Sequence, residues 1–384
     1  MRKVCVFTGT RADFGLLKPL MHEINYHDEM ELQIVATTMH MSPYFGETYK
    51  EILDAGFNID KKVECLLSGD TANAVTKSMG LAMIGFADAI AELEPDFAII
   101  LGDRTEMLMA ASACSVANIP IGHLHGGEVT EGAYDDAFRH AISKMSALHF
   151  TSTEEYRKRV IQLGENPESV FNVGAIGIDS IKSLNLMDKN EFQKAIDFKL
   201  NKRNILITYH PVTLEENTAA NQMEEIFAAL HQLKDTHFIF TYANSDKSGA
   251  TINRMIEDFV RKNDAISCAF PSLGQLRYLS ALQHVDMVLG NSSSGILEVP
   301  SFKIPTINIG DRQKGREMPD SVINCNVDRM SILKAIEKAD DLDLANMVSI
   351  YGEGKAAKKI ISILERKING VDLKKGFFDL NKDQ

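Results

Sequence analysis

Short, almost wholly apolar runs separated by helical stretches constrain this chain more than any other feature. Residues 97–101 read FAIIL, with no polar position to turn toward water. A strand of that composition is buried on both faces, as in parallel sheets covered by helices. The pattern recurs at residues 4–8, 32–37, 121–123, 148–152 and 170–173, and again at 205–209, 237–242, 287–289 and 306–309. Between these runs the apolar residues fall at helical spacing. Leu16, Leu17, Leu20 and Ile24 share one face of a helix expected over 13–24. Further helices are expected over 110–117, 154–163, 221–233, 251–262, 275–281, 331–338 and 351–367. Strands alternating with helices imply a doubly wound α/β fold. A chain of 384 residues suits two such domains, because single cores stop growing near roughly 250–300 residues. The charged, loosely patterned segment 178–203 is the expected linker. It divides an N-terminal Rossmann-like domain over 1–177 from a second over 178–365, with a ligand expected in the cleft between them.

Charge narrows the partners. There are 41 basic against 53 acidic residues, a net −12. That balance argues against nucleic acid and anionic membranes, which need a positive footprint. It leaves room for an anionic small ligand met by a few local arginines. No apolar run approaching the ~20 residues of a membrane span is read from the sequence. The apolar stretch after the N-terminal MRK is too short for a secretory signal. The five cysteines are scattered without paired or ligand spacing, which suggests neither a disulfide framework nor a zinc site. A soluble cytoplasmic protein is expected.

The chemistry-bearing residues cluster just after the expected strands. Gly9-Thr10-Arg11-Ala12-Asp13 follows the first strand, where backbone N–H groups and Arg11 suit a phosphate. The plainer reading is a tight turn with Asp13 as helix cap. The spacing is not GxGxxG, so a dinucleotide site is not supported. Gly102-Asp103-Arg104 follows the FAIIL run, a place for a tuned carboxylate or a simple surface ion pair. His123-Leu124-His125-Gly126-Gly127-Glu128 and then Tyr134-Asp135-Asp136-Ala137-Phe138-Arg139-His140 form the densest group. Asp135 and Arg139 are i, i+4 neighbours if helical. No HExxH spacing is present, so general acid–base chemistry without a metal is the better reading. His210 ends the first strand of the second half, placed to donate to a phosphate. Gly290-Asn291-Ser292-Ser293-Ser294-Gly295 reads as a strand, a small polar loop and a helix start suited to an anion, with Glu298 one turn on to accept sugar hydroxyls. The GxSxG nucleophile elbow is absent. The loop 310–316, GDRQKGR, is the one dense basic loop.

At these residues the chain resembles the UDP-N-acetylglucosamine 2-epimerase family, and within it the hydrolysing branch that begins the synthesis of sialic and legionaminic acid-type sugars. The motifs run in order through the chain: TGTRADFG at 8–15, TMHMSPYFGETYKEI at 38–52, GDR at 102–104, HLHGGE at 123–128, YDDAFRHAISKMS at 134–146, TSTEEYRKRVIQLGE at 151–165, YHPVT at 209–213, GNSSSGILEVPS at 290–301 and INIGDRQKGR at 307–316. The resemblance implies a GT-B-type architecture with a closing helix, at about 366–384, packed back on the first domain. It implies a cofactor-free and metal-free elimination of UDP from UDP-N-acetylglucosamine through 2-acetamidoglucal, followed by hydration to N-acetylmannosamine. It also implies a homodimer or homotetramer. Carried over residue by residue, Asp103, Asp135 and Arg139 match catalytic positions and His210 the histidine at the nucleotide phosphates. Arg11, Arg104, Asn244, Ser292, Ser293, Glu298 and Arg312 match UDP-contacting positions, with Glu298 at the ribose and the backbone of Leu273 at uracil. Many members carry glutamate where this chain has His125. The base for the C2 proton therefore stays open among Asp103, His125 and Asp135, with Glu128 in the same motif.

The same motifs would serve a hydrolysing epimerase acting on UDP-N,N′-diacetylbacillosamine. A non-hydrolysing epimerase, a GT-B glycosyltransferase and a non-catalytic UDP-sugar sensor are the remaining alternatives.

Overall fold

The computed structural model describes residues 1–67, 69, 71–130, 134–211, 219–243 and 249–380. They form two compact units, Met1–Lys182 together with the chain from Ile350 onward, and Ser183–Ser349.

The first unit is built on a seven-stranded parallel sheet: β1 (Arg2–Thr8), β2 (Met30–Thr37), β3 (Lys61–Val63), β4 (Phe97–Leu101), β5 (Ile121–Leu124), β6 (Leu148–Thr151) and β7 (Val170–Asn172), in the order β3-β2-β1-β4-β5-β6-β7. The second carries six parallel strands: β8 (Arg203–Thr208), β9 (Thr236–Thr241), β10 (Ser267–Phe270), β11 (Met287–Gly290), β12 (Thr306–Ile309) and β13 (Val322–Cys325), in the order β10-β9-β8-β11-β12-β13. The strand order reverses between β1 and β4 in one sheet and between β8 and β11 in the other. Doubly wound sheets bind ligands at that reversal, beyond the carboxyl ends of the strands.

Every residue of FAIIL is buried, as its composition requires. The side-chain alternation of a strand then splits the first core in two. Val4, Val6, Ile99 and Leu101 meet Leu17, Leu20 and Met21 of the helix Arg11–Asn25 and Ile360 and Leu364 of the helix Ala356–Lys367. Cys5, Phe7, Ala98 and Ile100 meet Phe86, Met107 and Ile142 on the other face. Each such large apolar side chain contributes about 1.5–3 kcal/mol by leaving water.

Three expectations are corrected. The closing helix ends at Lys367, and 371–380 continues without regular structure. Asp179 accepts from the backbone N–H of Ala356 (3.0 Å) and Ala357 (2.7 Å), which fixes the helix start upstream of residue 366. The segment read as a loose linker holds two helices, Gly177–Ser183 and Lys189–Ile196. The second opens with a reciprocal capping box of Asp188 and Glu191 and buries Phe192 and Ile196. Finally, the helix Ala72–Leu93 spans 22 residues and holds an 18-residue stretch with a mean hydropathy of 1.3, long and apolar enough by composition to cross a membrane. It instead buries Ala82, Phe86, Ala89 and Ile90 on the sheet, with the Phe86 ring edge-on to Phe7 at 5.3 Å.

Candidate active site

The carboxyl end of β5 runs into His125, which holds a left-handed φ of +64°. The two glycines that follow let this turn dip into the protein. A Cβ on Gly127 (φ +80°) would lie 2.4 Å from the Tyr156 carbonyl oxygen, so only glycine fits. The turn brings the Glu128 carboxylate back to the His125 ring, Oε1 to Nδ1 at 3.0 Å, and the Ser152 hydroxyl donates to the same oxygen at 2.9 Å. The ring nitrogen and the carboxylate oxygen thus stand at ion-pair distance. Nε2 is buried and has no hydrogen-bond partner.

His123, two residues earlier, is a different kind of histidine. Its Nε2 faces the Gly102 carbonyl oxygen at 2.8 Å and its Nδ1 the Ser143 hydroxyl at 3.0 Å. A carbonyl requires Nε2–H, so Nδ1 accepts from Ser143. Burial pushes the ring down to about 3, so it stays neutral. It holds the end of β5 to the loop after β4.

That loop carries Asp103, whose carboxylate pairs with Arg139 on the helix Asp135–Met145. Burial raises the Asp103 carboxyl above its ordinary value. Arg139 opposes the shift, and the negative charges of Asp135 and Glu128 add to it. Arg139 also lies 3.8 Å from Asp136 and 3.4 Å from the Thr130 hydroxyl. The structure therefore brings together Asp103, His125, Glu128, Asp135 and Arg139. Buried atoms without partners occur at these positions too: Asp135 Oδ1 and Arg139 Nε, beside His125 Nε2. Buried polar groups are ordinarily satisfied, and a cluster of orphans fits groups reserved for a ligand.

Across the β1/β4 reversal, Thr10 rather than Asp13 caps the helix Arg11–Asn25, accepting from Asp13 N–H at 3.2 Å. Asp13 is pushed up to about 6, chiefly by burial. Arg104 donates to Glu106 at 2.7 Å, and Thr105 donates to the other oxygen at 3.0 Å. Glu106, only 2% exposed, is the residue the sequence reading missed. Its signal was an acid in the first turn of the helix after GDR. Arg11 stands apart, its side chain 65% exposed and 4.0 Å from Glu51.

In the second unit the loops after β8 and β11 are tied together. Asn291 accepts from the His210 backbone N–H at 2.7 Å and donates to the His210 carbonyl at 2.8 Å. Arg312 (3.1 Å) and Gln313 (2.9 Å) both donate to the Asn291 carbonyl. A Cβ on Gly290 would lie 1.9 Å from the Thr208 carbonyl oxygen, which makes that position glycine-only. The expected helix start is a helix of four residues, Ser294–Leu297, and Ser293 makes no side-chain cap. Any anion at Ser292 and Ser293 is therefore met by hydroxyls and loop amides rather than by a helix dipole, which needs a longer helix. Glu298 is raised to about 7 by burial. Leu273 is buried and its carbonyl accepts from Arg277 at 2.8 Å. Asn244 lies outside the described residues. Among the described residues no three histidine, cysteine or acidic side chains are placed to hold a metal ion.

Comparison with known proteins identifies the family. A protein from Campylobacter jejuni named GDP/UDP-N,N′-diacetylbacillosamine 2-epimerase (hydrolyzing) is 45% identical over 339 residues, covering 88% of each chain. Polysialic acid biosynthesis protein P7 of Escherichia coli is 38% identical over 352 residues, 91% of this chain and 88% of the other. The crystal structure of UDP-GlcNAc 2-epimerase from Neisseria meningitidis bound to UDP-GlcNAc shares the fold, with a TM-score of 0.77 at 20% identity over 96% of this chain and 100% of that one. The model of the UDP-N-acetylglucosamine 2-epimerase family matches residues 22–365, and the chain belongs to that family.

Proposed function

We propose that the protein is a hydrolysing UDP-sugar 2-epimerase. It takes a UDP-linked 2-acetamido sugar and water to the free 2-epimeric sugar and UDP. A base removes the proton at C2, the C1–O bond breaks with its electrons passing to the diphosphate, and a 2-acetamidoglucal remains. Water then adds across the double bond, a proton to C2 from the opposite face and hydroxyl to C1. The observation that carries this reading is the His125–Glu128 dyad with its unpartnered Nε2, beside the Asp103–Arg139 pair. General acid–base chemistry needs such a lone pair within reach of a carbon-bound proton.

His125 and Asp135 are the proton-transferring groups in this account, since each has an unpartnered buried atom. Asp103, held by Arg139, positions that arginine. Glu128 orients His125. His210, Arg11, Arg104, Arg312, Ser292 and Ser293 receive the diphosphate, Glu298 the ribose hydroxyls and the Leu273 backbone the uracil. The reaction needs neither a metal nor a redox cofactor, and we place it in the cytoplasm.

Two substrates fit. UDP-N-acetylglucosamine, giving N-acetylmannosamine, follows from the motifs and accords with the polysialic acid relative. UDP-N,N′-diacetylbacillosamine is favoured by the name of the 45% identical relative. Separate incubation with each in the presence of a chelator, reading UDP and free sugar by NMR, tests the reading. Release of UDP with a 2-epimeric free sugar from one of them supports it. A returned UDP-sugar epimer, or loss of turnover on chelation, contradicts it.

A further inference from the structure

Two helices of the first unit hold the catalytic cluster, and both run out beneath one stretch of chain. The helix Asp135–Met145 carries Asp135 and Arg139 near its start. The helix Glu154–Gln162 carries Arg159, whose guanidinium donates to the Gly127 carbonyl at 2.6 Å and so fastens the turn between His125 and Glu128. Beyond the first helix lies Ser146, and beyond the second Leu163-Gly164-Glu165. The segment 371–380 crosses both ends. Lys375 donates to the Ser146 carbonyl at 2.6 Å and to Glu165 at 2.7 Å. The Phe378 backbone N–H donates to the Gly164 carbonyl at 2.9 Å. The Phe377 ring covers Gly164 (φ +89°), where a Cβ would lie 2.5 Å from it, and its centre stands 5.0 Å from Lys144 Nζ in the last turn of the first helix.

These contacts answer electrostatic needs. Ser146 is buried, and a carbonyl there, at the negative end of a helix, calls for a donor that a cation supplies best. Glu165, its side chain 3% exposed, accepts from Lys144 at 2.5 Å and from Lys375 at 2.7 Å and faces His149 Nε2 at 3.0 Å. Burial alone would raise the Glu165 carboxyl, but the bonds to His149, Lys144 and Lys375 bring it down to about 2. Apolar burial adds little, since Leu373, Phe377 and Leu380 are all exposed and a cavity of about 410 Å³ lies between the segment and residues 165–169. A segment held by a few polar contacts can let go without unfolding what it covers.

We propose that the segment 371–380 is a clamp on the catalytic unit and that Lys375 is a positioning residue for the reaction. By tying Ser146 to Glu165 it fixes the carboxyl ends of both helices, and through them Asp135, Arg139 and the turn at His125. A helix of 11 residues is a stiff lever about 16 Å long at a rise of about 1.5 Å per residue. Freedom at its carboxyl end is therefore carried to the residues at its start. Misplacing a reacting group by about 1 Å costs on the order of a hundredfold in rate. The effect on turnover rests on the reading of His125 and Asp135 as proton-transferring groups; the docking of the clamp does not.

The test uses full-length variants. Lys375→Met keeps the stem and removes the charge. It should lower kcat about tenfold or more while KM and UDP affinity stay within about twofold, since no residue proposed at the nucleotide is touched. Hydrogen exchange read by mass spectrometry should quicken over 135–147 and 154–165 and stay unchanged in the second unit. Lys375→Arg, which keeps donors and charge, should restore kcat to within about threefold of the wild type. Phe377→Ala, at an exposed ring, should lower kcat in the same sense. Lys374→Met is the control and should behave as the wild type. Unchanged kcat in Lys375→Met, a matching loss of UDP affinity, or a Lys375→Arg variant as slow as Lys375→Met would overturn the proposal. A wild type that releases no UDP from either sugar defeats the functional reading instead. Exchange then decides: quickening confined to the two helices in Lys375→Met sustains the clamp, and unchanged or uniformly quickened exchange overturns it.

Discussion

His125 is where one side chain decides most. Its Nδ1 lies 3.0 Å from Glu128 Oε1 and its buried Nε2 has no hydrogen-bond partner, the atom proposed above as a base. His125→Gln should leave UDP affinity within about twofold and lower turnover at least a hundredfold, the usual worth of a general base. Near-normal turnover would remove His125 from the mechanism. Glu128→Gln should lower kcat with little change in KM and alter the pH profile, because the amide removes the negative charge beside the ring. Glu298 supplies a pH prediction. Its carboxyl is raised from 4.5 to about 7. The folded state therefore holds this proton more tightly than the unfolded chain, and the stability it lends is present below 4.5 and lost as pH rises through about 7. Relative to Glu298→Gln, the wild type should lose about 3 kcal/mol across that window, measured by denaturant unfolding. A flat difference between the two proteins would contradict the assignment.

At the level of the element, loops are held in place by a few hydrogen bonds that the sequence only partly discloses. Arg312 is expected to meet the diphosphate, and it also steadies the loop after β11 through the Asn291 carbonyl. Arg312→Ala should raise KM tenfold or more and weaken UDP binding with a reduced salt dependence; unchanged UDP affinity would count against it. Most strands were legible because full burial on both faces leaves a mark in composition: residues 97–101 and 306–309 form strands over those very residues. The three-residue β3 was not, since Lys61 and Lys62 give it no apolar run. The helix Ala72–Leu93 was missed because its small residues blur the usual polar face. Among site residues, Asp103, His125, Glu128, Asp135 and Arg139 stood out as dense polar clusters after strands. Glu106 did not, because it works by holding Arg104 and Thr105 in place and its one mark is an acid in a first helical turn.

The molecule as a whole carries a net charge of −12 while its proposed ligand is a diphosphate. The two are compatible because net charge describes the surface, whereas the proposed binding rests on local groups, Arg104, Arg312, His210 and the loop amides after the strands. The same fold hosts other chemistries, so the function rests on the site and on family membership, not on architecture. The central claim is elimination followed by hydration, which differs from simple hydrolysis in what happens at C2. Turnover in deuterated water, with the free sugar read by NMR, tests it most directly. The account predicts one deuterium at C2 of an inverted, 2-epimeric product. A product that keeps its original hydrogen at C2 would contradict it.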